Sequence, residues 1–554
     1  MDSRRSLLRS AVGLALLGAT LAAAPAPASP APAARTAKID PALVSQVAEG
    51  PAVAIFNWNE ETTSRAEVAR YLEQRGMDAH LFSGIAVGYS CAGGVGELNT
   101  LAGIPGALSV VENATLDTAT DKSVPTAFNG SPQKVWSAPP TGLGVTGDGI
   151  AIAVLDTGLD STHPDLGPLQ SAENPNGRVK ANTRVLYGHK ETGREICPPA
   201  LDVYTDEPNQ GTYVRNFEDS ERLSGHGTYI AGIAAGAGVQ DPKHKGMAPG
   251  AQLVGVAVSD AVNATVPDSA GLGYKPTTLG IVAGLDYILT KAIQPGSYPG
   301  DNGINVRVVL GGWVQPGNYE FLHPIATALS TLDAWSISVV VPVGNLGPNQ
   351  SDCSTPETCR FNRWAGWQES VDDFGNVYLE RYTIGVAAGP HTTRRALAPF
   401  SSRGDPRTYS RVDGSLRYTT FHRPTIVAPG TAITSTRRLG TSGIASLDGT
   451  SGASPDKGSL MEANQHYQTM SGTSAAAGHV AGAIALMQEA SFKAKGCYLT
   501  QKQVRIILEE TATPMPGYQQ WEVGAGMIDA TAAVNLARSV PRQPGFDEWL
   551  CPTV

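Results

Sequence analysis

Short apolar runs alternate with helix-like segments over most of the chain beyond residue 150. These runs and segments are 150–155, 230–237, 253–258, 278–290, 306–310, 337–343 and 479–488. Strands that consist of near-continuous apolar residues and alternate with helices are typical of a mostly parallel sheet covered on both faces. The pattern therefore predicts an α/β fold, with helices flanking both faces of a mostly parallel sheet.

A smaller unit precedes this region. Residues 51–58 form a strand candidate, 64–75 have helical spacing, and 80–89 and 108–112 are further strand candidates. The spacing predicts a small α+β domain over 36–115. A polar stretch follows, so we expect a linker over 116–134, the α/β domain over 135–540 and a C-terminal tail over 541–554.

The first 35 residues have the order of an export signal followed by a Pro/Ala linker. Arg4, Arg5 and Arg9 precede an apolar run at 11–24, and an Ala-x-Ala site follows at 26–28. This order predicts cleavage and secretion. The run is shorter than the roughly 20 residues of a membrane span. The adjacent arginines are similar to a twin-arginine signal, and a general-secretion signal is the alternative.

Composition and charge narrow the classes of partner. The 554 residues are 41% hydrophobic and 16% charged, which supports a sizeable core. The formal net charge is −9, from 50 acidic and 41 basic side chains. Because nucleic-acid-binding domains are usually basic, this charge argues against nucleic acid as a partner.

Six cysteines fit an oxidising compartment. The close spacing of Cys353 and Cys359 favours a local disulfide, and a bond between Cys497 and Cys551 would hold the C-terminal tail. Cys91 and Cys197 then remain, and spacing does not decide the connectivity. A zinc site is disfavoured because the sequence has no Cys-x-x-Cys or paired-histidine spacing.

Three widely separated motifs contain groups suited to nucleophilic catalysis. Asp156 ends an apolar strand, His226 lies between two glycines, and Ser474 stands where a small-residue helix begins. Ser474 can act as the nucleophile, His226 as its base and Asp156 as the group that orients the imidazole. The Ser474 amide and the Asn345 side chain are candidate donors for a developing oxyanion.

In this order the motifs resemble those of the subtilisin-like serine peptidases, over roughly residues 135–540. The matching segments are Asp156-Thr157-Gly158, His226-Gly227-Thr228, Gly344-Asn345, Phe400–Gly404, Val427–Gly430, Gly472-Thr473-Ser474, Gly478–Gly482 and Gly524–Asp529. The resemblance implies a secreted serine endopeptidase that acts on proteins or peptides through an acyl-enzyme. It also implies that 36–115 is a propeptide, an intramolecular inhibitor and chaperone removed on activation; a retained accessory domain is the alternative.

The resemblance further suggests where substrate binds and what else the protein requires. Leu310, Gly311 and Gly312 match the family's substrate-pairing strand, so we expect them to bind substrate. The chemistry requires no cofactor, and the family often binds calcium for stability, although no ligand is assigned here. Where the family usually has Met and Pro after the nucleophile, this chain has Ala475 and Gly478, and we expect Gly478 to loosen that helix.

Two other functions use the same residues. One is a catalytically silent, secreted pseudopeptidase that only binds peptides, which the complete set of catalytic groups disfavours. The other is a transpeptidase, in which an amine replaces water in releasing the acyl group.

Overall fold

A computed structural model describes residues 38–60, 62–112, 117–118, 123–185, 217–221, 225–258, 277–289, 304–315, 323–347, 361–365, 367–371, 377–380, 382–413, 416–439, 466–541 and 551. The predicted export signal at 1–35 lies outside these residues, as do Cys197, Cys353 and Cys359.

The N-terminal unit is a five-stranded sheet with three helices. Its strands are β1 (Lys38–Ile39), β2 (Ala52–Trp58), β3 (Ala79–Leu81), β4 (Val87–Ala92) and β5 (Ala107–Glu112), in the spatial order β1-β5-β2-β4-β3. Its helices are α1 (Pro41–Glu49), α2 (Arg65–Glu73) and α3 (Val95–Ala102). Helix α2 begins where Ser64 and Glu67 form a reciprocal capping box, which satisfies backbone N–H groups that the helix leaves free.

Strand β2 is buried on both faces. Ala54 and Phe56 belong to the small core beneath the unit's own helices, whereas Val53 and Ile55 belong to the large core of the rest of the protein. Alternate residues of a strand point to opposite faces. The N-terminal sheet therefore packs one face on its own helices and the other on the larger unit.

The larger unit is built on a seven-stranded parallel sheet. Its strands are β7 (Ala151–Asp156), β8 (Val179–Arg184), β9 (Gln252–Ala257), β10 (Val306–Gly311), β12 (Ser338–Pro342), β15 (Thr383–Pro390) and β18 (Ile426–Thr431), in the order β18-β15-β12-β10-β7-β9-β8. All neighbouring pairs are parallel. Every residue of β7, β10 and β12 is buried, as expected for central parallel strands.

Helices pack against this sheet in two groups, and the predicted α/β fold class is confirmed. The helices of this unit are α4 (Val124–Ala127), α5 (Gln133–Trp136), α6 (His226–Ala235), α7 (Thr278–Tyr287), α8 (Pro324–Ala334), α9 (Thr473–Lys495), α10 (Gln501–Thr511), α11 (Gln520–Val523) and α12 (Ala530–Ala537), with 3₁₀ turns at Pro242–His244 and Arg363–Ala365. Helix α6 packs on α9, and α7 packs on α8.

Smaller antiparallel elements lie outside the main sheet. Strands β13 (Trp367–Val371), β14 (Val377–Glu380), β16 (Asp405–Asp413) and β17 (Leu416–His422) form a four-stranded sheet, and β19 (Ile433–Thr436) pairs with β20 (Tyr467–Met470). Strand β6 (Asp117–Thr118) pairs with β11 (Trp313–Val314). This last pair connects the segment after the N-terminal unit to the larger unit.

Cys497 and Cys551 form a disulfide, which confirms the predicted bond to the C-terminal tail. Cys497 follows Gly496, which caps the end of helix α9, so the bond attaches the tail close to a central element of the core. Cys91 is also disulfide-bonded. Within the described ranges, no helix has both the length and the hydropathy needed to cross a membrane.

Removing the Cys497–Cys551 bond is expected to lower the free energy of unfolding by about 2–4 kcal/mol, because the unfolded chain regains the entropy of a closed loop. The bonded residues are 54 positions apart in sequence. The measurement is urea unfolding of Cys497→Ser/Cys551→Ser in a Ser474→Ala background, which removes the predicted nucleophile and with it any self-cleavage. Ser474→Ala alone is the control, and identical urea midpoints would contradict the prediction.

Candidate active site

Asp156 lies at the carboxyl end of β7. The five apolar residues before it are buried in the sheet, and Asp156, the first polar residue, stands where the strand leaves it. Its Oδ1 accepts the backbone N–H of Thr157 at 2.7 Å and the Nδ1–H of His226 at 2.7 Å. The Asp156 carboxylate is therefore hydrogen-bonded both to the backbone of the next residue and to the imidazole of His226.

His226 begins helix α6. Gly225, which precedes it, has a φ of 71°, a left-handed conformation that suits glycine and that lets the chain turn into the helix. The imidazole is fully buried, with Nδ1 facing Asp156 and Nε2 lying 3.2 Å from Ser474 Oγ. Because Nδ1 donates to the carboxylate, Nε2 is the nitrogen that can accept the hydroxyl proton.

Ser474 is the second residue of helix α9, so its backbone N–H is one of the first-turn donors that have no partner within the helix. The positive end of the helix dipole lies at the same place. The helix continues without a break through Gly478, and a β-carbon there would lie 3.2 Å from the backbone oxygen of Ile230 in α6. Gly478 thus permits close packing of the helices that carry Ser474 and His226.

Asn345 follows strand β12 and is held by the turn that leads into α9. Its Oδ1 accepts the backbone N–H and the hydroxyl of Thr473, each at 2.9 Å. With the amide oxygen occupied in this way, the Nδ2 group remains as a donor. Thr473 directly precedes Ser474, so Asn345 is linked to the residue beside the predicted nucleophile.

The three residues predicted to bind substrate have different surroundings. Leu310 and Gly311 lie inside β10, where Leu310 pairs with both Val154 and Val340, so the backbone of Leu310 already has strand neighbours on both sides. Gly312 follows the strand and touches the site itself. A β-carbon at Gly312 would lie 1.9 Å from Asp156 Oδ2 and 2.9 Å from His226 Cε1.

One buried carboxyl beside these groups did not emerge from the sequence. Glu221 is fully buried, and its side chain accepts the hydroxyls of Thr157 and Thr228. Burial raises the pKa of Glu221 to about 7, and the negative charge of Asp156 adds to the rise, whereas the hydrogen bond from Thr157 opposes it. The sequence feature that could have pointed to Glu221 is its position five residues before His226.

Oxygen ligands of the kind that calcium prefers are available in the sequence from Asp160, Asp165, Asp202, Asp206 and Glu207. No group of three His, Cys, Asp or Glu side chains in the described part of the chain could hold a metal ion. Asp165 accepts two backbone N–H groups and the Tyr467 hydroxyl, and Asp160 accepts the N–H groups of Thr162 and Leu439. These two carboxylates already have protein donors. Asp202, Asp206 and Glu207 lie outside the described residues.

Chemically, the arrangement combines a hydroxyl, an imidazole and a carboxylate in one hydrogen-bonded chain, and the Asn345 amide is bonded to the residue before the hydroxyl. Such a set can activate an alcohol for attack on a carbonyl carbon and can stabilise the oxyanion that results.

Comparison with known proteins places this site in a family. The model of the Subtilase family matches residues 147–528. The serine protease AprX of Bacillus subtilis is 28% identical over 409 residues, covering 73% of this chain and 68% of AprX. Subtilisin E of the same organism is 26% identical over 392 residues, covering 71% of this chain and 67% of subtilisin E.

Two further matches cover less of the other protein. An extracellular protease of Xanthomonas campestris is 27% identical, with 71% of this chain and 52% of that protein covered. The crystal structure of fervidolysin from Fervidobacterium pennivorans has a similar fold, with a TM-score of 0.51 and 19% identity, over 89% of this chain and 62% of fervidolysin. The matched family model, which spans the strands and helices that carry Asp156, His226 and Ser474, shows that the chain belongs to the subtilase family, whose members are subtilisin-like serine endopeptidases.

Proposed function

We propose that the protein is a secreted serine endopeptidase that cleaves peptide bonds through an acyl-enzyme on Ser474. The observation that carries the proposal is the continuous chain from Asp156 Oδ1 to His226 Nδ1 at 2.7 Å and from His226 Nε2 to Ser474 Oγ at 3.2 Å. Both separations are within or close to hydrogen-bond reach, as a nucleophile, its base and an orienting group require.

In the proposed reaction, Ser474 Oγ attacks the scissile carbonyl carbon while His226 Nε2 takes the hydroxyl proton. Asp156 keeps the proton on Nδ1 and stabilises the imidazolium that forms. The Ser474 N–H and Asn345 Nδ2 donate to the oxyanion. His226 then protonates the leaving amine. Water next attacks the acyl carbon while His226 Nε2 accepts its proton, and His226 returns that proton to Ser474 Oγ as the acyl group is released.

We propose that the substrate binds as an extended strand along β11, directly after Gly312. Leu310 has strand partners on both sides and Gly311 pairs with Leu155 of β7, so a peptide would pair with the chain beyond Leu310. Trp313 and Val314 already pair antiparallel with Thr118 and Asp117. An added peptide strand uses the same backbone hydrogen bonds and needs no particular side chain on β11.

We also propose that the N-terminal unit is an inhibitory propeptide within residues 36–115. Its sheet buries one apolar face on the larger unit. The N–H of Gly84 donates to Asp286 Oδ1 of α7 at 2.6 Å, and the Asn57 amide donates to the Thr327 hydroxyl of α8. The chain after this unit then adds β6 to β11, one residue beyond the glycine that touches Asp156 and His226. This arrangement would block substrate entry.

Export rests on the N-terminal signal order and agrees with the disulfides at Cys91 and Cys497–Cys551. Relatives include a protein named as an extracellular protease. The export route, twin-arginine or general secretion, stays a prediction, as does calcium binding for stability.

Replacing Ser474 is expected to abolish both covalent labelling and turnover. Ser474→Ala removes the attacking oxygen, so a fluorophosphonate probe should not label the protein and kcat should fall by about 10⁶. The exposed serine variant Ser539→Ala is the matched control and should label like wild type. A wild type that neither labels nor cleaves a peptide library would favour the silent peptide-binding alternative, and product analysis with added amines would reveal a transpeptidase.

Asn345→Ala and Asn345→Asp are both expected to lower kcat by about 10²–10³ with little change in KM, because each removes the Nδ2 donor to the oxyanion. The aspartate variant retains the oxygen that accepts Thr473. Steady-state kinetics on one peptide substrate provides the measurement. If Asn345→Asp had wild-type kcat, Asn345 would act only by holding Thr473, and its role as an oxyanion donor would be refuted.

Removal of the N-terminal unit is expected to depend on the protein's own activity. N-terminal sequencing of secreted wild type should find a mature chain that lacks 36–115, whereas Ser474→Ala should retain that segment. Ser539→Ala again serves as the control for a serine substitution as such. An active wild-type enzyme with the segment still attached would identify it as a retained accessory domain.

A further inference from the structure

The Glu221 carboxyl joins the two segments that carry Asp156 and His226. It is fully buried, although the proposed reaction gives it no part. Burial destabilises the charged form of a carboxyl unless hydrogen bonds compensate for it. Its contacts therefore indicate what it contributes to the site.

The first contact runs through Thr157, which directly follows Asp156. The Thr157 hydroxyl donates to Glu221 Oε1 and accepts the N–H of Gly227, the residue after His226, at 2.9 Å. A hydroxyl has one proton, so donating it to Glu221 leaves the oxygen's lone pairs for Gly227. Glu221 thereby sets the direction of a bridge between the residues that follow Asp156 and His226.

The second contact forms a parallel bridge. The Thr228 hydroxyl donates to Glu221 Oε2 at 3.2 Å and accepts the N–H of Asp160 at 3.0 Å. Thr228 lies in the first turn of α6, and Asp160 lies in the loop after β7. Both bridges thus run from the start of α6 to the chain beyond Asp156.

Only a carboxylate accepts both hydroxyls without offering a proton of its own. A glutamine or a protonated glutamate presents a donor to one of them and forces that hydroxyl to turn. The charged groups around Glu221 are Asp156 on β7 and His226 on α6, and the neighbouring loops add Asp160 and the Asp219–Arg438 ion pair. Burial raises the pKa of Glu221 to about 7, so its charge changes within the neutral pH range.

We infer that Glu221 is a positioning residue, which keeps the Asp156 carboxylate and the His226 imidazole in register through the hydroxyls of Thr157 and Thr228. This inference rests on the proposed peptidase function. Because the residue acts through the orientation of the triad, its loss should affect turnover more than substrate binding.

The test compares Glu221→Gln with two variants of Thr157. Glu221→Gln and Thr157→Val are each expected to lower kcat by about 10² with KM within twofold of wild type, since small misplacements of catalytic groups have effects of that size. Thr157→Ser retains the hydroxyl and should stay near wild type. The double variant Glu221→Gln/Thr157→Val should lose no more than either single variant, because both changes break one network.

The pH profile supplies a readout that a merely structural role would not alter. In wild type, activity should fall as pH drops through about 7, where protonated Glu221 gives one hydroxyl a competing donor. In Glu221→Gln this component of the pH profile should be absent. Fluorophosphonate titration of active sites corrects kcat for any fraction of a variant that fails to fold.

Several results would overturn the inference. They are wild-type kcat in Glu221→Gln, additive losses in the double variant, an unchanged pH profile, or equal losses in Thr157→Ser and Thr157→Val. If Glu221→Gln does not fold, the two Thr157 variants decide the question alone. A wild type without labelling or cleavage refutes the proposed function and this inference with it, whereas an active wild type with unaffected variants refutes this inference only.

Discussion

The parallel arrangement of the central strands is the constraint on which the site depends. Because neighbouring parallel strands run in one direction, their carboxyl ends meet at one edge of the sheet. Strand β7 ends at Asp156, its neighbour β10 ends just before Gly312, and β12 ends shortly before Asn345. Helices α6 and α9 begin at the same edge, which brings His226 and Ser474 to the carboxylate. Groups 70 and 248 residues apart in sequence thus lie side by side.

The hydrogen bonds at this edge also require that helices α6 and α9 lie close to the loops after β7 and β10. Glycines at the contacts make this close approach possible. A β-carbon at Gly227 would lie 2.1 Å from the backbone oxygen of Gly158, and one at Gly482 would lie 2.6 Å from the oxygen of Ala234. Any side chain at Gly312 would strike Asp156. The departure from the family pattern at Gly478 has a similar explanation, since this glycine packs against α6. Packing and catalysis therefore constrain the same positions.

The sequence alone predicted those features that a local pattern of residues determines. Apolar runs predicted four of the seven strands of the parallel sheet, namely β7, β9, β10 and β12. The ends of two of these runs predicted Asp156 and Asn345 at strand ends. The substrate-binding residues stay a prediction, because register decides which backbone a peptide can reach: Leu310 pairs with both Val154 and Val340, whereas Gly311 pairs with Leu155. The role of Glu221 was not predicted, because its burial and its hydrogen bonds from two threonine hydroxyls arise only in the folded chain.

The N-terminal unit also packs closely against the larger unit, on a second surface. Its strand β2 has apolar residues on both faces, so separation from the larger unit would expose Val53 and Ile55 to water. It would also leave Asp286, which is 1% exposed in the joined form, without the Gly84 N–H. If this unit is the propeptide that we propose, the cost of detaching it would make it a tight inhibitor. Degradation of the detached segment would then complete activation, because proteolysis of the separated unit draws the equilibrium toward the free enzyme.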